Sequence, residues 1–167
     1  MVIQRSNRAA KSLGPNKNTK NNWEKRPFKM VERQIYITES DMERLQELLT
    51  TPLKFGAMDK AHLKELEEAL LRAKIVPTED IPPDVITMNS KVRLRHLDSD
   101  EELVYTLVFP YEADLKAHKL SVLTPLGTAL IGYRVGDQIS WKVPAGIRQL
   151  SVEEVMYQPE AAGDEKI

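Results

Sequence analysis

The 167-residue sequence contains no cysteine, and this absence removes several classes of protein from consideration. Without cysteine the chain has no disulfide, no thiolate metal site and no cysteine nucleophile. Its seven glycines are isolated from one another, so there is no glycine-rich loop of the kind that binds phosphate groups. The three histidines, His62, His96 and His118, lack the i, i+4 spacing of a metal-binding pair. We therefore expect no catalytic group, no cofactor and no metal.

Long hydrophobic runs are also missing. No stretch approaches the roughly 18 apolar residues that a membrane-spanning helix needs. Arg5 and Arg8 lie near the N-terminus, but no apolar segment follows them, so this end does not have the pattern of a secretory signal. Apolar residues make up 41% of the chain and charged residues 29%, which is ordinary for a globular domain. We expect a cytoplasmic protein with one domain, or a small domain with an appendage.

The net charge of −1 conceals an uneven distribution. Residues 1–34 hold nine basic and two acidic groups, a net charge of +7, which leaves 15 basic and 23 acidic groups, a net charge of −8, for the rest. Such a basic arm is suited to weak contact with the phosphates of a nucleic acid. The alternative is a solvated, disordered tail rich in Asn, Lys and Arg. Met30 also offers a later start site, just before the first patterned segment.

Residues 34–37 form a short β-like segment, and two amphipathic helices are predicted after it, within residues 35–77. The first spans about residues 39–50, opens at a capping box around Thr38 or Ser40, and ends before Pro52. The second spans about residues 58–74 and ends before Pro77. Their apolar stripes consist of Met42, Leu45, Leu48 and Leu49 in the first helix and Leu63, Leu66, Leu70 and Ala73 in the second. The stripes are too short for a dimeric coiled coil, so we expect an antiparallel hairpin within a monomer.

The β-rich remainder begins after the stiff connector Pro82-Pro83. We predict strands over residues 85–97, with an irregularity at Asn89-Ser90, and over 103–109, 119–122, 138–143 and 147–155. A short helix opens at Thr124-Pro125 and ends at Gly132, and residues 144–146 form a three-residue hairpin turn. The fold class is therefore α+β, with the strands in an antiparallel sheet. We expect residues 158–167 to fray as a tail.

Three segments resemble the Rnk family, the bacterial regulators of nucleoside diphosphate kinase, within the broader group of Gre-type transcript-cleavage factors. They are residues 84–92 (DVITMNSKV), 120–132 (LSVLTPLGTALIG) and 157–164 (YQPEAAGD). The resemblance covers roughly residues 30–164. It implies a helical hairpin over residues 35–77 and an FKBP-like C-terminal domain over residues 84–157. It also implies binding to RNA polymerase near the mouth of the secondary channel, with the C-terminal domain gripping from outside and the hairpin pointing inward.

The hairpin tip departs from the Gre pattern. The resemblance implies that a Gre factor presents acidic residues at its tip to help hold a catalytic metal ion, because Mg²⁺ prefers carboxylate oxygens. Residues 50–58 include Pro52, Leu53, Lys54 and Phe55 but no acid. Asp59 is the nearest carboxylate, and its place at the start of a helix gives it a structural role. We therefore expect a polymerase-binding regulator that competes with Gre-type factors without stimulating cleavage.

The resemblance also implies a docking turn. Gre factors carry Asp-Ser-Pro or Asn-Ser-Pro before their short helix, where the turn touches polymerase. This chain has Leu123-Thr124-Pro125, followed by Leu126, so the proline matches, the threonine is a near match and the leucine departs. An N-cap followed by a first-turn proline explains the same residues without any partner. Both roles remain open at this point.

Two other functions remain as alternatives. The FKBP-like fold suggests a peptidyl-prolyl isomerase, but fold does not imply function and only 6% of the residues are aromatic. A generic interaction module, or a direct effector of nucleoside diphosphate kinase, is the other alternative. The sequence shows no catalytic group or kinase-binding surface for the direct effector, so we interpret the family name as a regulatory consequence.

Overall fold

The protein, in a computed structural model that describes residues 34–51, 57–143 and 145–164, starts its first helix at the predicted cap. Helix α1 (Glu39–Thr50) has the predicted bounds. The Thr38 side-chain oxygen accepts a hydrogen bond from the Asp41 N–H at 3.1 Å, so Thr38 and not Ser40 is the cap. This bond satisfies one of the N–H groups that a helix start leaves unpaired.

Helix α2 (Ala57–Leu71) ends three residues before its predicted end at Lys74. The Lys74 N–H instead donates a hydrogen bond to the Ile35 carbonyl at 2.7 Å, and the chain continues as a strand. Ile75 and Val76 are β-branched, which favours that conformation. Among the described residues, no helix is both long and apolar enough to cross a membrane.

The segments directly before and after the two helices pair as a small parallel sheet. The sequence periodicity predicted only part of it. Strand β1 (Tyr36–Thr38) pairs in parallel with β2 (Lys74–Val76), and Ile37 lies opposite Ile75. Parallel strands require a crossover connection, which here is the segment containing α1 and α2. The sequence pattern indicated a β-like segment at β1 but not its partner, because three residues are too few to show an alternation.

The remaining strands form one five-stranded sheet in the order β5-β4-β3-β7-β6. They are β3 (Lys91–His96), β4 (Glu102–Val108), β5 (Lys119–Ser121), β6 (Gln138–Val143) and β7 (Gly146–Tyr157). Three neighbouring pairs are antiparallel, whereas β4 and β5 are parallel. The one short helix in this region, α3 (Pro125–Leu130), packs near β6. The α+β class is confirmed, and the sheet is antiparallel except at this one pair.

The predicted strand over residues 85–97 is too long. Strand β3 begins only at Lys91, because Asn89 adopts φ 62° and turns the chain. The Ser90 side-chain oxygen accepts a hydrogen bond from the Thr87 N–H at 3.0 Å, which stabilises that turn. Val85 contributes only an isolated bridge to Arg134. The irregularity expected at Asn89-Ser90 therefore ends the strand instead of interrupting it.

Two glycines define the ends of neighbouring elements. Gly132 follows α3 with φ 78°, as predicted, and a Cβ there would lie 2.5 Å from Cγ2 of Ile35. Gly146 pairs with Val143, so the β6–β7 connection is one residue shorter than the three-residue turn expected. The close approach at Gly132 brings the segment before β1 against the C-terminal domain.

The apolar stripes of both helices and the inner face of the sheet share one hydrophobic cluster. From the helices it includes Leu45 and Leu66, and from the sheet Val92 and Leu94, all four of them fully buried. Residues 34–167 accordingly form one compact unit. The helices therefore do not form a core of their own.

The expectation that the chain frays from Gln158 is wrong as far as Asp164. Helix α4 (Pro159–Ala162) has proline at its first position and Gly163 at its end with φ 73°. The Gln158 side chain is 3% exposed, and its amide donates to the carbonyls of Pro82 and Val85 at 2.9 and 2.8 Å. The C-terminal segment is thus fastened to the connector that precedes β3. The proline–glycine pattern that signals such a helix is present in the sequence.

We expect Gln158→Ala to lower the free energy of unfolding by about 2 kcal/mol, because the buried Val85 carbonyl loses its donor, whereas the Pro82 carbonyl retains the Val85 N–H. Urea denaturation at neutral pH measures the change. Gln149→Ala is the matched control, since the Gln149 side chain is exposed and donates to the Ser140 hydroxyl on the surface, and it should change stability by less than about 0.5 kcal/mol. Equal effects of the two substitutions would contradict the role given to Gln158.

Candidate functional site

The turn that precedes α3 is held by a dense set of local hydrogen bonds. The Thr124 side-chain oxygen accepts from the Gly127 N–H at 3.0 Å and donates to the Ser121 carbonyl at 2.7 Å. The Leu123 N–H donates to the Ser121 side-chain oxygen at 3.1 Å, and the Thr128 hydroxyl donates to the Val122 carbonyl at 2.7 Å. The turn is therefore a rigid structure in which Thr124 caps the helix as predicted.

The predicted docking residues are not equally accessible. Leu123 is only 6% exposed and belongs to the hydrophobic core. Thr124, Pro125 and Leu126 are partly exposed. A partner that binds this turn would thus contact Thr124 and Pro125, whereas Leu123 packs in the core beneath them. The departure from a polar residue at Leu123 follows from that buried position.

The turn leaves the sheet beside a second exposed segment, which the sequence did not single out. Strands β4 and β5 are parallel, and the Val122 N–H donates to the Val108 carbonyl at 2.9 Å. Residues 109–112 and 122–125 therefore emerge at the same edge of the sheet, the one at which both strands end. Tyr111 is 72% exposed there, and its ring stacks on that of Phe109 with centroids 5.8 Å apart. An exposed tyrosine on a rigid base is a common anchor in protein interfaces.

Helix α1 reaches the same edge through Arg44. Its guanidinium lies 4.3 Å from the centroid of the Phe109 ring and donates a hydrogen bond to the Tyr111 hydroxyl at 3.0 Å. A cation over an aromatic face is attracted by the ring's negative face. Arg44 thereby joins the two-helix unit to residues 109–112, which emerge at the same edge of the sheet as the turn before α3. We call the surface formed by Arg44, Tyr111, Thr124 and Pro125 the docking edge.

The predicted hairpin tip cannot be placed in the same way. Pro52, Leu53, Lys54 and Phe55 lie outside the described residues, as does the side chain of Asp59. The helices on either side are 12 and 15 residues long. At about 1.5 Å per residue their lengths are roughly 18 and 22 Å.

A polar cavity of about 280 Å³ lies near the docking edge, between the first turn of α1 and the C-terminal segment. The carboxyl groups of Asp41, Glu160 and Asp164 line it. Burial, followed by the nearby Glu160 carboxylate, raises the pKa of Asp41 to about 6, whereas Arg44 and a hydrogen bond from the Met88 backbone act in the opposite direction. Glu160 in turn accepts a hydrogen bond from the Thr87 hydroxyl at 2.7 Å.

This cavity does not have the character of a catalytic pocket. Neither it nor the adjoining cavity of about 460 Å³ is lined by an aromatic side chain, which the isomerase alternative would require. Within the described ranges, no group of three or more histidine or acidic side chains is arranged to hold a metal ion.

The five-stranded sheet with its short capped helix and the preceding two-helix unit correspond to two known family models. Residues 81–157 match the family model described as "Transcription elongation factor, GreA/GreB, C-term". Residues 33–76 match the model described as "Rnk N-terminus". The chain belongs to the Rnk family, whose members join this N-terminal unit to a GreA/GreB-type C-terminal domain.

Individual relatives agree with this assignment. The chain is 44% identical to the "Regulator of nucleoside diphosphate kinase" of Escherichia coli K12, over 78% of this chain and 94% of that protein. It is 38% identical to a "Transcription elongation factor GreA" of Syntrophotalea carbinolica, over 59% and 62% of the two chains. Among solved structures, it is similar to a "Prokaryotic transcription elongation factor GreA/GreB from Nitrosomonas europaea", with 43% identity, a TM-score of 0.63 and coverage of 74% of this chain and 98% of that one.

We expect Gly127→Ala to destabilise the protein by about 3 kcal/mol, because the added methyl group would overlap the carbonyl oxygen of Ser121. Helix propensity alone predicts the opposite sign, since alanine is favoured over glycine inside helices by about 1 kcal/mol. Thermal unfolding followed by circular dichroism distinguishes the two.

The control for this substitution is Gly136→Ala. Gly136 has φ 88° but open space around its missing side chain, so alanine there incurs backbone strain of about 1 kcal/mol without overlap. A Gly127→Ala protein as stable as the unsubstituted one would show that the turn is not tightly packed.

Proposed function

We propose that this protein binds RNA polymerase at the rim of the secondary channel, competes there with Gre-type factors, and does not stimulate transcript cleavage. The observation that carries the proposal is the similarity of residues 81–157 to the C-terminal domain of GreA and GreB, since proteins named transcription elongation factors share that domain. In this proposal, the docking edge is the surface that grips polymerase.

The docking edge has the properties of such a surface. Thr124 and Pro125 are held in place by the hydrogen bonds to Ser121 and Gly127, so little conformational entropy is lost when a partner binds. Tyr111 adds a large exposed aromatic ring whose position Arg44 fixes. Rigid aromatic anchors beside a capped helix are typical of an interface centre.

The lack of cleavage stimulation follows from the composition of the tip. Residues 50–58 contain no Asp or Glu, and Lys54 places a positive charge there. A positive side chain repels a catalytic Mg²⁺ ion, which requires oxygen ligands. Helices of 12 and 15 residues also give only a short projection from the docking edge. The protein then occupies the channel entrance without contributing to the chemistry.

Regulation of nucleoside diphosphate kinase, named in the relatives, is in this proposal an indirect effect of altered transcription. The site of action is the cytoplasm, where polymerase works. The basic residues before Met30 add a candidate contact to nucleic acid phosphates, and that contact is not needed for docking.

We expect the protein to be captured by core RNA polymerase and displaced by excess Gre factor, because both would use the same rim. Pull-down with increasing Gre factor measures the displacement. In a stalled elongation complex it should leave transcript cleavage at its unstimulated rate and reduce the stimulation caused by added Gre factor. Capture that excess Gre factor does not disturb, or direct stimulation of cleavage, would contradict the proposal.

We expect Pro125→Glu to weaken polymerase binding by about tenfold or more, because it places a charge at the centre of the docking edge. The fold should persist, since a glutamate in the first turn of α3 is favoured by the helix dipole. Binding is measured by fluorescence anisotropy of the labelled protein, and folding by its thermal midpoint.

Ile147→Glu is the matched control for this substitution. Ile147 is 58% exposed and lies at the β6–β7 turn, at the opposite edge of the sheet, where a new charge should leave binding unchanged. Equal binding by the Pro125→Glu and Ile147→Glu proteins would remove the docking turn from the interface.

A further inference from the structure

The two-helix unit and the C-terminal segment meet at a cluster of acidic groups that the docking function does not use. Asp41 lies in the first turn of α1 and is 8% exposed. Across the cavity, Glu160 belongs to α4 and Asp164 follows it. We call Asp41 and Glu160, which line this cavity from opposite elements, the acidic junction. Burial of a carboxylate beside another carboxylate is unfavourable unless one of them carries a proton.

The charged groups around Asp41 do not neutralise it. From the C-terminal segment it faces the carboxyl groups of Glu160 and Asp164. The residues before β3 and the turn of residues 78–80 line the cavity only with the uncharged side chains of Met88, Asn89 and Thr78. Arg44 on the same helix is the cation that acts on Asp41, but its guanidinium is engaged at Phe109 and Tyr111.

Two features of the junction favour the ionised form of Asp41, but their effect on its pKa is weaker than that of burial and Glu160. The N-terminus of α1 attracts a negative charge in its first turn. The Met88 backbone also lowers the pKa of the Asp41 carboxyl. Burial and the Glu160 carboxylate raise the pKa of Asp41 by more than these two features and Arg44 lower it. The pKa therefore stays above its usual value of 3.8.

We propose that the acidic junction is a proton-dependent contact that fastens helix α1 to the C-terminal segment at low pH and loosens as Asp41 ionises. The segment that loosens is α4, since it has only four residues and lies near the chain terminus, where local opening requires little free energy. The Glu160–Thr87 hydrogen bond and the buried Gln158 amide are the contacts that opening would break or strain.

The direction of the effect follows from proton binding. The closed junction holds the Asp41 proton up to a pKa of about 6, whereas an opened junction exposes Asp41 to water, where its pKa is near 3.8. Between these values the closed form binds more protons, so its stability falls as the pH rises. The closed junction has its full proton-dependent stability below about pH 4, and it has lost this contribution above about pH 6. Mild acidification would therefore tighten the two-helix unit on the C-terminal segment.

The test is a nuclear magnetic resonance titration of the full chain, which needs no polymerase, so its failure is distinct from a failure of the docking proposal. The Asp41 carboxyl carbon should titrate about two pH units above an exposed aspartate. Over the same range, the ¹⁵N order parameters of residues 160–164 should decrease as the pH rises. A midpoint near 4, or order parameters that do not change with pH, would overturn the proposal.

Two variants separate the junction from the other titratable groups of the chain. Asp41→Asn should abolish the pH dependence of the order parameters, whereas Asp98→Asn, at an exposed turn, should retain it. Glu160→Gln keeps an acceptor for Thr87 and removes the neighbouring charge, so it should lower the Asp41 midpoint. This second variant provides the decisive reading if Asp41→Asn does not fold. A midpoint unchanged in Glu160→Gln, or a dependence retained in Asp41→Asn, would contradict the proposal.

Discussion

The burial of two short helices against the end of a small sheet is the constraint on which the rest of this structure depends. Isolated helices of 12 and 15 residues are marginal in water, and two of them offer little apolar area to each other. Their stripes are stabilised because Leu45 and Leu66 continue into the same core as Val92 and Leu94. The helical unit therefore requires the C-terminal domain for its stability, and its orientation is determined by that packing.

This shared core explains why functional features gather at one edge of the sheet. The parallel pairing of β4 and β5 brings the Thr124-Pro125 turn beside Tyr111, and the start of β3 and the end of β7 lie at the same edge. Helix α1 buries its stripe in the same core, with Arg44 on Phe109 and with Asp41 and Glu160 lining one cavity. A surface able to bind a partner and a buried acidic contact thus follow from one packing arrangement.

Much of this organisation was predictable because it depends on local signals. The Thr38 and Thr124 caps, the start of α3 at Pro125 and the positive φ of Gly132 are short-range effects, and each is confirmed. The predictions of secondary structure are wrong where contacts with residues distant along the chain determine the local conformation. Lys74 leaves its predicted helix because Ile35 accepts its N–H, and Gln158 is ordered because Pro82 and Val85 accept from its amide. Neither partner is visible in a window of neighbouring residues.

The sequence by itself determined the α+β class, the helix starts, the family resemblance and the lack of carboxylates in residues 50–58, because residue type and spacing carry that information. Only the tertiary structure decided that Leu123 supports the docking turn from within the core, that Tyr111 stands beside it, and that Asp41 is buried opposite Glu160. The neighbours that decide them are distant along the chain, with 14 positions between Val108 and Val122 and 119 between Asp41 and Glu160. Such contacts arise from the burial of apolar surface, which depends on shape and area and leaves no periodic pattern in the sequence.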